Sequence, residues 1–173
     1  MKTHHFWRTI ATLALSALTC ANVHAAPLAC QSLTPVAIQN TVAQMNASLA
    51  QADVDFGKNG ATGAYAIAAK YNRDYIVLGR DVIVRLQIWL KNSSLDTPYV
   101  TNASAAYSVY GYIRDSVSHL HYARHWAAIS AVYHNSKAAR QSIELTTQAL
   151  GLLEPLSAQA TRCYVDQYGP FIQ

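Results

Sequence analysis

Residues 34–60, TPVAIQNTVAQMNASLAQADVDFGKNG, decide the fold. Ile38, Val42, Met45, Leu49, Ala52 and Phe56 recur at alternating intervals of four and three. A seam with that period, about 3.5 residues, belongs to a helix lying along other helices. Thr34 offers an N-cap, and Pro35 occupies the first helical position, where its missing N–H costs nothing. Gln39, Asn40, Gln44, Asn46, Ser48, Gln51, Asp53 and Asp55 fall between the apolar positions and predict a polar outer face. Gly57 and the Lys58-Asn59-Gly60 stretch end the helix.

The same pattern continues downstream. A second helix is predicted from about Thr62 to Lys91, with Tyr71, Tyr75, Leu78, Val82, Leu86 and Trp89 as its apolar stripe and Ile76, Ile83 and Leu90 broadening it. A stripe this wide packs against two neighbours. Thr97-Pro98 repeats the earlier start signal and opens a third helix that extends to His134. Its stripe runs through Ala103, Ala106, Tyr110, Ile113, Val117 and Leu120, then shifts to Tyr122, Trp126, Ile129 and Tyr133, which predicts a bend or a change of neighbour. Asn135-Ser136 is a polar turn, and a fourth helix follows from about Lys137 to Gln167. Pro155 removes a hydrogen bond to Gly151 and crowds that carbonyl, so a kink or a break into two helices is expected near Gly151 to Glu154. Ile76-Val77-Leu78 and Val82-Ile83-Val84 taken alone would suit strands, the basis of an α/β alternative; their flanks carry no turn signal.

Short connections make consecutive helices antiparallel neighbours. The expected fold is therefore all-α, an up-down-up-down four-helix bundle. Lys2 and Arg8, the apolar run Ile10 to Thr19 and Val23-His24-Ala25 before Ala26 form a secretion signal over residues 1–25, leaving residues 26–173 as one helical-bundle domain. A lipidated cysteine at Cys20 or Cys30 is the less favoured alternative, since neither has the full set of preceding residues. After cleavage, Cys30 and Cys163 remain and predict one disulfide in an exported chain. The up-down-up-down order brings the start of the first helix and the end of the last to one end of the bundle, where the two can meet. Closing a loop this long contributes about 4–5 kcal/mol in the chain-entropy account.

The whole sequence carries a formal net charge of +4, and eleven basic against nine acidic residues remain once Lys2 and Arg8 leave. That balance is too weak and too scattered for a nucleic-acid footprint. No segment of the mature chain is long and apolar enough to cross a membrane. The expected location is periplasmic or secreted.

Chemistry is sparse. His121 and His125 lie one turn apart and about 40° apart around a helix, a spacing at which two imidazoles share Zn²⁺, Cu²⁺ or Ni²⁺. His119 points about 200° away from His121. Only Glu144 and Glu154 remain as glutamates, the Glu-x-x-His pairs of di-iron bundles are absent, and no haem-attachment motif occurs. No cofactor is implied. There is no Gly-x-Ser-x-Gly turn and no phosphate-cradling glycine loop. All 11 tyrosines belong to the mature chain, against three phenylalanines in the whole sequence. Tyrosine joins a flat apolar body to a polar tip and suits recognition surfaces. Tyr107, Tyr110 and Tyr112 spread around the third helix, so at least one should be exposed or line a groove, and Arg114 beside them adds cation–π or anion contacts. The sequence thus predicts an exported binding protein without catalysis, with a protein partner in the cell envelope such as that of an inhibitor, immunity factor or adaptor. Metal binding at His121 and His125 is the alternative. An enzyme whose site is assembled across helices is the third possibility, invisible to periodicity.

Overall fold

A computed structural model describes residues 35–63, 65–92 and 103–168. It consists of four helices, α1 (Pro35–Asn59), α2 (Ala66–Asn92), α3 (Ala103–Tyr133) and α4 (Lys137–Tyr168). No strand occurs among the described residues. Each helix packs chiefly on two others, and the contacts close a ring α1–α2–α3–α4–α1 around a shared core. The signal segment and Cys30 lie outside the described residues, as does the side chain of Cys163.

The buried line of α1 is Ile38, Thr41, Met45, Ser48, Ala52 and Asp55. It alternates three and four residues, an apolar side chain at each first position and a polar one at each second. Ser48 and Asp55 therefore belong to the core and not, as their polarity predicts, to the outer face. They lie inside because partners meet them there. Ser48 Oγ sits 2.7 Å from Thr146 Oγ1 of α4 and donates to Ser142 O at 3.2 Å. Asn72 of α2 donates from Nδ2 to Ser142 Oγ at 3.2 Å. At the next layer the Ser130 hydroxyl of α3 donates to Asp55 Oδ2 at 2.7 Å, and Asn59 Nδ2 donates to Asp55 Oδ1 at 2.9 Å. Each of these groups, left unpaired, would cost about 1–3 kcal/mol.

The other stripes turn relative to the positions of their largest side chains. On α2 the fully buried residues include Ala68, Ala69, Asn72, Ile76, Ile83 and Leu86; Tyr71 and Tyr75 are half-buried, and Leu78 is exposed. On α3 the buried line runs Val109, Ile113, Ser116, Leu120, Ala123, Ala127 and Ser130 without changing face. No shift occurs after Leu120. The small residues Ala123, Ala127 and Ser130 keep the line, and the aromatic side chains stand beside it. Small residues win the centre because the helices approach closely. A Cβ on Gly79 would lie 3.3 Å from both Ser116 O and Leu120 Cδ2, and Ser116 Oγ donates to Gly79 O at 2.9 Å. Larger side chains, Ile38, Met45, Ile76, Ile83, Leu86, Ile113, Leu120 and Leu153, fill the rest of the core. Each such burial contributes about 1.5–3 kcal/mol.

Two turns define the end nearer Asp55. Asn135 adopts φ 47°, a left-handed conformation that asparagine tolerates after a helix. Ser136 then caps α4, its hydroxyl accepting from Ala139 N–H at 3.1 Å. Before α2, Gly63 has φ 100° and Tyr65 has φ 66°. A tyrosine in the left-handed region is strained, and its ring is held by Tyr133, as described below.

Of the kink or break expected in the fourth helix, the break does not occur: α4 continues through Pro155. Gly151 and Pro155 both lie on the exposed side, so water reaches the carbonyl that has lost its partner. Leu150, Leu153 and Leu156 bind both halves of the helix to the core. Pro155→Ala is therefore expected to stabilise the protein by about 1–3 kcal/mol in chemical denaturation, since it restores the missing bond. An unchanged or lowered midpoint would show that the helix is interrupted there.

Candidate functional site

The outer side of the α2–α3 pair carries a continuous aromatic seam. On α2, Tyr71, Tyr75 and Leu78 follow at intervals of four and three. On α3, Tyr112, His119, Trp126 and Tyr133 recur every seven residues, with Tyr122 between His119 and Trp126. These positions flank the buried lines, which places the rings at the margin of the core. Tyr65 stacks on Tyr133 with centroids 3.7 Å apart and planes 18° apart. Tyr71 meets Trp126 edge-on at 4.9 Å. Tyr75 stacks on Tyr122 at 5.3 Å and lies 6.1 Å from the His119 ring. Residue numbers fall along α3 as they rise along α2. Ring pairs of this kind contribute about 0.5–1.5 kcal/mol each beyond their buried area.

The seam is only half covered. Tyr122 is 54% exposed, Tyr133 57%, Leu78 48%, Ile67 48% and Tyr65 46%. Of the ten exposed large hydrophobic residues among the described ones, seven lie on α2, on α3 or at Tyr65 just before α2. The α1 and α4 surfaces contribute Val36, Val54 and Leu152. Lys70 lies 5.5 Å over the Tyr71 ring and pairs with Asp74, which holds the ammonium pKa above its ordinary value. The Tyr133 hydrogen bond, with its charge second, likewise raises the Tyr65 hydroxyl. His119 Nδ1 is buried beside this seam and finds no hydrogen-bond partner among the described residues.

The residues singled out from sequence are distributed differently. Tyr110 and Tyr112 both pack half-buried against the core, on sides of α3 about 200° apart. Tyr112 lies in line with the seam. Tyr110 faces away from it, with the Arg114 guanidinium 5.4 Å over its ring. Arg114 is exposed, donates to Asp115 at 3.0 Å, and has its pKa raised by that hydrogen bond to the carboxylate and then by Tyr110. Tyr107 lies on α3, with its side chain outside the described residues. The structure therefore does not join Tyr110 and Tyr112 into one surface. His121 and His125 are both exposed. His121 Nε2 stands 3.2 Å from Glu154 Oε1 of α4, and the His125 ring meets Trp126 edge-on at 5.5 Å. Among the described residues no group of three His, Cys, Asp or Glu side chains is placed to hold a metal ion.

A second polar cluster has the composition of a hydrolytic triad but another order. Ser130 stands between Asp55 and His134, with its Oγ 3.1 Å from His134 Nδ1. The serine proton goes to the carboxylate, so its oxygen accepts from the imidazole. In a nucleophilic triad the imidazole stands in the middle and takes the serine proton. Asp55 and Ser130 are moreover fully buried. The cluster ties α1 to α3.

No family model, no curated protein and no solved structure matches the chain. Its chemistry is read from its own residues. The signal for the seam was present in the sequence as the seven-residue recurrence of Tyr112, His119, Trp126 and Tyr133, but the size of Trp126 and Tyr133 suggested the apolar stripe.

Proposed function

We propose that the protein is an exported helical-bundle binding protein that works without catalysis, docking a protein partner of the cell envelope as an inhibitor, immunity factor or adaptor does. The observation that carries this is the half-exposed aromatic seam of α2 and α3, which gathers Tyr65, Ile67, Leu78, Tyr122 and Tyr133, five of the ten exposed large hydrophobic residues among the described ones. Tyrosine and tryptophan at a rigid surface give contact area at little entropic cost, which is why they dominate binding hot spots. The same proposal includes the up-down-up-down order of the helices, which the opposed numbering across the seam supports. It also includes a Cys30–Cys163 disulfide, with residues 1–25 removed on export to the periplasm or beyond. No helix among the described residues is long and apolar enough to cross a membrane. Co-purification from the envelope tests the docking face. A Leu78→Ala/Tyr122→Ala variant is expected to lose the partner, and a Tyr110→Ala/Tyr112→Ala variant to weaken it only through Tyr112. Full retention by the first variant would contradict the assignment.

A second role, metal binding at His121 and His125, is favoured by the carboxylate that Glu154 brings beside His121. With both imidazoles exposed, a transition-metal ion then finds two nitrogens and one oxygen after a rotation of side chains. Zn²⁺ or Cu²⁺ is expected to raise the melting temperature of the native chain, and His121→Ala to abolish the gain. Absence of any metal-induced shift removes this role.

A further inference from the structure

Resting on the assignment of the α2–α3 side as a docking surface, we propose that its occupant in the free protein is a second copy of this chain, forming a two-fold dimer with seam against seam. Three properties of the surface favour this occupant. The first is area. A tyrosine carries about 150–250 Å² of buriable surface, so Tyr65, Tyr122 and Tyr133 at about half exposure leave on the order of 300 Å² between them. Ile67 and Leu78 bring the patch toward the upper end of the about 300–600 Å² seen for the largest apolar patch of a monomer. With its polar border it approaches the roughly 800 Å² that each partner gives to a standard interface.

The second property is charge. Lys70 and Arg85 border the seam together with Asp74, Asp81 and Asp115, and Asp115 is already paired with Arg114, so cations and anions stay near balance. A surface with that balance repels no copy of itself, and it offers no net field to a strongly acidic or basic partner. The third is shape. Two helices side by side present a groove and two ridges, which a two-fold axis lying in the interface matches to their own copy. The half-exposed rings then gain the remaining half of their cover. A heterologous partner on the same side competes with this association.

Sedimentation of the native chain across micromolar to submillimolar concentration is the test, with far-ultraviolet circular dichroism as the check on folding. The native chain is expected to sediment as a dimer. Leu78→Glu and, separately, Ile67→Glu are expected to give folded monomers, because both side chains are about half exposed and neither supports the core. Val36→Glu, on exposed α1, is expected to leave the dimer intact. A native chain that stays monomeric throughout the range overturns the dimer, and envelope co-purification with the Leu78→Ala/Tyr122→Ala variant then decides separately whether the seam docks another protein. A dimer that survives both seam substitutions places the interface elsewhere and also overturns the proposal.

Discussion

The hydroxyl of Ser48, enclosed among three helices, is the point from which the rest of this molecule is fixed. It meets Thr146 and Ser142 of α4, and Ser142 in turn meets Asn72 of α2. An apolar core tolerates small sliding of its helices, because one methyl group serves much as another does. A hydroxyl or amide buried without a partner does not, at about 1–3 kcal/mol for each orphan. One residue of slip in α1 would part Ser48 from α4 and Asp55 from Ser130 together. The polar layers therefore set the register that the surrounding alanines, too small to interlock, leave open.

The aromatic seam follows from that register. Ser130 bonded to Asp55, and Ser116 bonded to Gly79, fix the rotation of α3 with Ala123 and Ala127 inward. Tyr122 and Trp126 are one or more positions removed from that line and have no room inside. They stand along the α2 margin, where Tyr71 and Tyr75 receive them. The surface proposed for docking is thus a consequence of a core built from small and polar residues, and the energy of the ring pairs reinforces an arrangement the hydroxyls have set.

Much of the architecture was legible in the sequence. The four-and-three spacing of Ile38, Val42, Met45, Leu49 and Ala52, the Thr34-Pro35 start and the Asn135-Ser136 turn locate helices that the structure contains. Helix rotation was less accessible. Hydrophobicity ranks Tyr122 and Trp126 above Ala127 and Ser130, yet close approach favours the smaller pair, and that approach depends on a neighbouring helix. Asp55 misled for a related reason. A lone carboxylate belongs in water, and nothing local to α1 reveals that Ser130 waits 75 residues away. The candidate site shared both difficulties, since its rings come from two helices and its depth depends on how each is turned. Pro155 was read correctly as the loss of a bond, but its position on the wet face lets the helix absorb that loss.

Coupling across the buried layer is the most direct test of this picture. A double-mutant cycle on Asn72→Ala and Ser142→Ala, measured by chemical denaturation, is predicted to give an interaction energy within the range of about 0.5–3 kcal/mol found for groups sharing one network. Additivity within about 0.3–0.5 kcal/mol, as for distant and independent sites, would contradict it.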